Sequence, residues 1–333
     1  MSNSDSSDLF PPFSVREVCI VDESADLTFM CNGKRFFVTV DAADLDGEEE
    51  NLKEEYLDII NGDDPPTEIE NWTTDALYPE LVRLAPSEGR KDPIYLQDYY
   101  KPESIYLFKL VNKHGKVTPV PLPSDSDPNA YSSPKELISN ISDREGLVFV
   151  DAAKVQMLPI PGSEDFVASD TPRRVLLEGK EYHFKEVQDS ASFHREFRIL
   201  RQIHKLGINK SRRLPTLCAG VHYSDEPEYM LGFLMEPIEA KGSLGWAELS
   251  EKSPRELRQK WMAQIEETVQ QLHSKGISWG DVKPENVLID TDDNAWVIDF
   301  GGGYNSRFVD KEVVETVDGD LQGLTRLREF LGL

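Results

Sequence analysis

The first third of the chain alternates short apolar runs with polar turns, a pattern typical of strands and amphipathic helices. Apolar residues at helical spacing predict helices at Leu52–Ile60 and Ile69–Leu84, and the charged run Asp41–Glu55 is interpreted as a solvated surface. Residues 15–120 are therefore expected to form a small α+β region of unknown role, preceded by a disordered tail at 1–14. The predicted strands are Val15–Asp22, Leu27–Met30, Arg35–Val40, Ile105–Val111 and Lys116–Pro121.

The hydrophobic pattern is interrupted by a stretch from Pro121 to Pro134 that is rich in Pro, Ser and Asp. Such a stretch cannot bury enough apolar surface to offset the entropy cost of ordering, so a linker is placed at 121–145. After it, an amphipathic helix is predicted at Ser190–Lys205. The strands predicted beside it are Leu147–Val150, Val155–Ile160, Arg173–Leu177 and Tyr182–Val187.

The last third predicts one long helix and a second hairpin. Ser253-Pro-Arg-Glu256 is interpreted as a capping box at the start of a helix that ends at Gly276. The runs Val287–Ile289 and Ala295–Ile298 are separated by polar turn residues, which is the pattern of a hairpin.

The charge and the cysteine content of the chain argue against several kinds of binding partner and site. The 333 residues carry a formal charge of −25 with a pI near 4.6, which argues against nucleic acid or an anionic membrane as a partner. The three cysteines have no metal-ligand spacing, and no apolar run approaches the ~18 residues of a membrane span. An intracellular protein with free thiols, most simply cytoplasmic, is expected.

The candidate chemistry lies between Ile277 and Gly303. Asp281 and Asn286 precede the predicted hairpin and Asp299 follows it, so the hairpin is expected to bring the three side chains together. Two carboxylates and an amide oxygen suit a phosphate-bound divalent cation such as Mg²⁺. A carboxylate can also orient a hydroxyl nucleophile, as phosphoryl transfer requires.

These motifs resemble those of the protein-kinase family. Asp281-Val-Lys-Pro-Glu-Asn286 is similar to the family's catalytic loop, and Asp299-Phe-Gly301 is similar to its metal-binding motif. The resemblance covers roughly 150–333 and includes compact kinase-like proteins of filamentous fungi. It implies an α+β, two-lobed protein-kinase-like fold with a truncated large lobe at 146–333, preceded by the small α+β region. The small lobe would comprise 146–235 and the large lobe 239–333.

The resemblance also implies roles for individual residues. Asp281 would accept the hydroxyl proton or orient the nucleophile, and Lys283 would screen the γ-phosphate. Asn286 and Asp299 would hold Mg²⁺.

A second group of residues would hold the nucleotide. Lys185, paired with Glu196, would contact the α- and β-phosphates of ATP. Met235 would border the adenine site, and the backbone of Glu236 and Ile238 would contact adenine, because Pro237 has no N–H.

Several positions depart from the family pattern. Trp279-Gly280 stands where most members have His-Arg, which removes the usual partner of a phosphorylated activation loop. Pro161–Asp170 has one glycine and three acids in place of a glycine-rich loop. About 30 residues follow Gly303; among them, Asp320 resembles the aspartate that braces the catalytic loop.

An ATP- and Mg²⁺-dependent phosphotransferase of the protein Ser/Thr kinase type is therefore expected. A nucleotide-binding or scaffold pseudokinase is the alternative, because the glycine-rich loop is missing. A small-molecule kinase, similar to the aminoglycoside and choline kinases, is a third possibility. The substrate would be a protein or a small molecule that carries a hydroxyl group.

Overall fold

The computed structural model describes residues 13–47, 51–86, 93–123, 135–159, 173–210 and 212–333. Internal contacts divide the chain into two compact units. Unit 1 comprises Met1–Ser133 and Ala153–Leu176, and unit 2 comprises Pro134–Ala152 and Leu177–Leu333. Most of the predicted tail, the centre of the predicted linker and the acidic stretch Pro161–Asp170 lie outside the described residues.

Unit 1 is built on a five-stranded sheet in the order β1-β2-β3-β4-β5. Neighbouring strands are antiparallel except β3 and β4, which are parallel and are separated in sequence by the helices. From the start of the described residues to the last strand of this sheet, the strands and α-helices of unit 1 are β1 (Phe13–Val21), β2 (Ser24–Cys31), β3 (Lys34–Asp41), α1 (Leu52–Ile60), α2 (Pro65–Leu84), α3 (Leu96–Tyr100), β4 (Ile105–Lys113) and β5 (Lys116–Pro121).

Turn residues explain both predicted hairpins of unit 1, which the structure confirms. Asn32 and Gly33 have φ values of 48° and 74°, and His114 and Gly115 have 56° and 73°. Two successive left-handed residues are what a tight two-residue hairpin turn requires, and glycine and asparagine adopt them at low cost. The pairs Cys31–Lys34 and Lys113–Lys116 close the two turns.

Between β5 and the main body of unit 2 the chain changes unit repeatedly. β6 (Glu136–Leu137) and β7 (Val148–Asp151) belong to unit 2, whereas β8 (Gln156–Met157) and nearly all of β9 (Arg174–Leu177) belong to unit 1. β8 is shorter than the predicted strand Val155–Ile160, and Pro159, which lacks an N–H donor, follows it closely.

Unit 2 contains a strand ladder in the order β7-β11-β12-β10, to which β6 adds by pairing with β12, and a three-stranded sheet β13-β14-β15. The segment 135–145, predicted as part of the linker, thus takes part in the strand pairing of unit 2. The remaining elements are β10 (Lys180–Glu186), α4 (Ser190–Lys205), β11 (Leu217–His222), β12 (Tyr229–Met235), β13 (Ala240–Ser243), α5 (Ala247–Ser250), α6 (Arg255–His273), β14 (Val287–Asp290), β15 (Ala295–Val297) and α7 (Val317–Phe330).

The helices of unit 2 bury the apolar stripes read from the sequence. α4 has the predicted bounds, and its N-cap Asp189 accepts a hydrogen bond from the Ser192 N–H at 2.7 Å. The predicted capping box of α6 is wrong, because the helix begins at Arg255 after Pro254 and no side chain caps it. Trp261 of α6 is fully buried and donates its indole N–H to the carbonyl of Asp293.

Candidate active site

The loop after α6 holds Asp281 by contacts with its own neighbours. The Nζ of Lys283 and the Nδ2 of Asn286 each lie 2.7 Å from Asp281 Oδ2. Asn286 Nδ2 also donates to the carbonyl of Asp281 at 3.0 Å, and a short 3₁₀ turn at Pro284–Asn286 fixes this geometry. Asp281 is 5% exposed, and the Lys283 ammonium group supplies the opposite charge that a buried carboxylate requires.

The β14–β15 hairpin returns the chain to this loop. Ile298 N–H donates to the carbonyl of Asn286 at 3.1 Å, which places Asp299 beside the loop. The indole N–H of Trp279 lies 2.9 Å from the Ile298 carbonyl and 3.1 Å from the Asp299 carbonyl. Asp299 has φ of 60°, a left-handed conformation that a non-glycine residue keeps only when its surroundings impose it. The Trp279 contacts supply part of that constraint.

A partly buried network of charged side chains joins three separate elements. Lys185 on β10 contacts Glu196 Oε2 on α4 at 2.6 Å and Asp299 Oδ1 after β15 at 3.1 Å. Glu196 is 4% exposed. The structure therefore brings together three of the residues that the sequence predicts for phosphate and metal binding.

Electrostatics favour the charged forms of Lys185 and Asp299. Burial alone would lower the pKa of Lys185, but Glu196 and Asp299 outweigh it and raise the pKa above its usual value. Burial would raise the pKa of Asp299, but the Lys185 ammonium group holds it below its usual value. Burial raises the pKa of Glu196, and Lys185 opposes that rise.

Asp320 on α7 connects this helix to the loop that carries Asp281. Its Oδ2 accepts the Trp279 N–H and its Oδ1 accepts the Gly280 N–H, both at 2.7 Å. The Nε2 of His273 at the end of α6 is also 2.7 Å from Oδ2. Asp320 is 1% exposed, so a single buried carboxylate holds two consecutive backbone amides of the loop.

The residues predicted to border adenine lie at the end of β12. Met235 is 7% exposed and pairs with His183 on β10. The Glu236 N–H already donates to the carbonyl of Thr216 at 3.0 Å, so only its carbonyl remains for a ligand. Ile238 is half-buried.

Gly303 keeps the space beside Asp281 open. A Cβ on Gly303 would lie 3.1 Å from the carboxyl group of Asp281, closer than ordinary van der Waals contact. Gly302 has φ of 84°, which favours glycine. Gly303 thus lets the backbone pass close to the candidate catalytic carboxylate, and Gly302 permits the left-handed conformation before it.

Comparison with known proteins decides the family of this region. Residues 177–320 match the family model described as the protein kinase domain. This part of the chain is a protein-kinase-like domain. A stretch of 135 residues is 29% identical to the serine/threonine-protein kinase cds1 of Schizosaccharomyces pombe. That alignment covers 39% of this chain and 25% of the relative, so the chain spans about a quarter of the relative's length.

The match confirms the kinase-like superfamily and the mixed helix-and-sheet fold expected from the sequence. The matched residues 177–320 lie wholly within unit 2, which also contains β6 and β7 before the match and residues 321–333 after it. Among the described residues, none of the helices combines the length and the apolar character that crossing a membrane demands.

The donor atoms of the kinase-like domain fit a hard cation that retains other ligands. Asn286 uses its amide nitrogen to bind Asp281, which directs its amide oxygen elsewhere, and Asp299 supplies a second oxygen donor. No group of three His, Cys, Asp or Glu side chains able to hold a metal by themselves occurs in the part of the chain that the structure describes. A cation held here would therefore complete its coordination with phosphate oxygens and water, as Mg²⁺ does.

Two residues of the kinase-like domain shape the site without belonging to a motif that marks them in the sequence. Trp279 departs from the family pattern, yet its indole fixes the backbone at Asp299. Arg195 belongs to none of the motifs, yet its guanidinium fills the space beside Gly280. The only available signal was Gly280 itself, because a glycine beside a conformationally demanding loop indicates either a left-handed backbone or a close neighbour.

Proposed function

We propose that this chain is an ATP-dependent phosphotransferase of the protein Ser/Thr kinase type, which transfers the γ-phosphate of ATP to a hydroxyl group. The observation that carries the proposal is the Lys185–Glu196–Asp299 network beside the Asp281 loop. Its members come from β10, α4 and the segment after β15, so folding assembles one charged cluster from distant parts of the sequence. The protein-kinase-like domain and the relative cds1 support the same reaction class.

Different residues of the site would bind the phosphates and the metal ion. Lys185, oriented by Glu196, would bind the α- and β-phosphates, and Asn286 and Asp299 would bind Mg²⁺. When bound, Mg²⁺ would neutralise charge on the phosphate oxygens.

The acceptor side of the reaction belongs to the loop before β14. Asp281 would orient the acceptor hydroxyl and accept its proton, and Lys283 at 2.7 Å from this carboxylate would face the transferring phosphoryl group. The adenine ring would lie against Met235, with the Glu236 carbonyl and Ile238 N–H as hydrogen-bonding partners.

Nucleotide binding is the first part of the proposal to test. The purified chain is titrated with ATP, with and without Mg²⁺, and its melting temperature is recorded for the wild type, Asp299→Ala and Asp292→Asn. Ligands that bind only the folded state raise the melting temperature. We expect saturable stabilisation that needs Mg²⁺ and Asp299. Asp292→Asn removes an exposed carboxylate from the turn of the same hairpin, so it should behave as wild type.

Turnover is the second part. Transfer of labelled γ-phosphate to the chain itself and to mixed protein substrates is measured for the wild type and Asp281→Asn. Loss of a positioned general base costs about 100-fold or more, so Asp281→Asn should lose most turnover and keep nucleotide binding. Unchanged turnover in this variant would refute the role of Asp281.

The alternatives predict different results. A nucleotide-binding pseudokinase would bind nucleotide but show no transfer to any acceptor, and a scaffold pseudokinase would show neither binding nor transfer. A small-molecule kinase would transfer phosphate to aminoglycosides or choline but not to protein. Absence of stabilisation at millimolar ATP would overturn the nucleotide site itself.

A further inference from the structure

The position beside Gly280 is occupied by an arginine from a different part of the fold. Gly280 has φ of 86°, and a Cβ there would overlap the guanidinium group of Arg195 on α4. In the family resemblance described above, Gly280 stands where most members have arginine. The guanidinium therefore reaches the same loop from α4, across 85 positions of sequence.

The guanidinium N–H groups of Arg195 donate both to the loop before Asp281 and to the segment after Asp299. Its Nη1 donates to the carbonyl of Trp279 at 3.0 Å and to the carbonyl of Phe300, and its Nη2 donates to the carbonyl and Oγ of Ser278, each at 3.3 Å. Its Nε lies 3.3 Å from Glu315 Oε2. The side chain is 11% exposed, so these carbonyl groups depend on it for their hydrogen bonds.

Glu315 is built into the same arrangement. Its carbonyl accepts the hydroxyl proton of Ser278 at 2.9 Å, and its φ is 60°, a conformation that a glutamate rarely adopts without constraint. A Cβ on Gly302 would overlap the Glu315 carboxylate. Glycine at 280 makes room for the guanidinium and glycine at 302 makes room for its anionic partner.

We infer that Arg195 is a positioning residue for the proposed phosphotransfer reaction, and that Glu315 supplies permanently the anion that this coupling needs. Arg195 directly precedes Glu196 on α4, so one helix turn presents Glu196 to Lys185 and ties the loop of Asp281 to the segment of Asp299. The catalytic arrangement then forms without a phosphorylated side chain. This inference rests on the proposed function, because it concerns the assembly of the same site.

The kinetic test uses Arg195→Lys, which keeps the charge but cannot reach all five acceptor atoms with one ammonium group. Arg198→Lys, an exposed position one turn along α4, is its matched control. We expect Arg195→Lys to lower kcat about 10- to 100-fold with KM for ATP changed less than about threefold, because small misplacements of reacting groups cost rate more than binding. Glu315→Gln should lower kcat by a smaller factor than Arg195→Lys, and Glu312→Gln should leave it unchanged.

Coupling is also measured without reference to turnover. In hydrogen exchange of the full chain, Arg195→Lys should accelerate exchange at 278–280 and at 300–303 together, whereas Arg198→Lys should affect neither segment. In the double variant Arg195→Lys/Glu315→Gln, exchange should accelerate by less than the product of the acceleration factors of the two single variants. The reason is that both changes remove the same contact.

Independence from phosphorylation completes the test. Wild-type protein treated with a phosphatase, and shown by mass to carry no phosphate, should keep its turnover. Loss of turnover on this treatment would overturn the role given to Glu315. Exchange that rises only at 278–280, or kinetics of Arg195→Lys equal to those of Arg198→Lys, would overturn the role given to Arg195. If the wild type transfers no phosphate, the proposed function fails while the exchange result still decides the coupling.

Discussion

Replacing Asp320 by asparagine should disconnect α7 from the loop that carries Asp281. The carboxylate accepts two backbone N–H groups at 2.7 Å in a fully buried place. An asparagine side chain has one acceptor oxygen, so its NH₂ group must face at least one of these N–H donors. The substitution keeps the shape of the side chain and changes only its hydrogen-bonding capacity.

The magnitude follows from the bonds that are lost. A buried donor without an acceptor costs about 1–3 kcal/mol, and hydrogen bonds to a charged group contribute about 1.5–3 kcal/mol each. The remaining bond also loses the charge of its acceptor, and His273 loses an anionic partner. We expect Asp320→Asn to lower the free energy of unfolding of unit 2 by about 2–4 kcal/mol. For a unit of this size that corresponds to a fall in melting temperature of roughly 5–15 °C.

Tryptophan fluorescence suits the measurement, because four of the five tryptophans lie in unit 2 and Trp279 is itself bonded to Asp320. Thermal and urea unfolding would be followed together with hydrogen exchange at Trp279 and Gly280. Asp318→Asn is the matched control. It removes the same charge from the first turn of α7 at an exposed position, where the helix-dipole contribution is about 0.3–1 kcal/mol.

Two results would refute the reasoning. If Asp320→Asn and Asp318→Asn unfolded within about 0.5 kcal/mol of each other, the buried carboxylate would not be the brace that the geometry describes. If Asp320→Asn destabilised the unit but left exchange at Trp279 and Gly280 unchanged, its effect would arise elsewhere.

Three further predictions concern single side chains. Trp279→Phe removes the indole donor of the Ile298 and Asp299 carbonyls, so we expect about 1–3 kcal/mol of destabilisation by urea unfolding, and a variant as stable as wild type would contradict this. Because Lys185 holds the pKa of Asp299 below 3.8, the stability lost in Asp299→Asn should be complete above that pH and shrink as pH falls through the lowered pKa. Unfolding of both proteins from pH 3 to 7 measures the difference, and a gap that widened toward low pH would reverse the assigned sign. Burial raises the pKa of Cys31 to about 12, so in native protein at pH 8 a maleimide should modify the exposed Cys19 and spare Cys31, as read by peptide mass; equal labelling would refute the burial of Cys31.

Local patterns in the sequence were sufficient where neighbours along the chain determine the structure. The bounds of α1 and α4 and the turns at Asn32-Gly33 and His114-Gly115 follow from periodicity and turn chemistry alone. The family resemblance predicts the pairing of Lys185 with Glu196, and the structure places these two side chains 2.6 Å apart. The second contact of Lys185, with Asp299 at 3.1 Å, was not predicted. The catalytic roles of these residues stay predictions.

Contacts between residues far apart in the sequence could not be predicted from local patterns. Arg195 donates to backbone carbonyl groups 83 to 105 positions away in the sequence. Every residue has such a carbonyl group, so the residue types do not indicate which ones will accept these hydrogen bonds. The failed capping box at Ser253 shows the converse case, in which a correct local motif is not used because the chain enters α6 through Pro254. The parallel pairing of β3 with β4 likewise depends on a long connection that no short window contains.

The repeated change of unit between residues 133 and 177 limits how this protein can be cut or recombined. A fragment that begins where the family match begins, at residue 177, would lack β7 beside β11 and β6 beside β12. A fragment that ends at 133 would lack β8, which bridges to Tyr95 in unit 1. During synthesis, unit 1 therefore cannot be completed until residue 176 has left the ribosome, by which time part of unit 2 has already emerged. The two units are thus interleaved along one stretch of chain, and no single cut between residues 133 and 177 separates them intact.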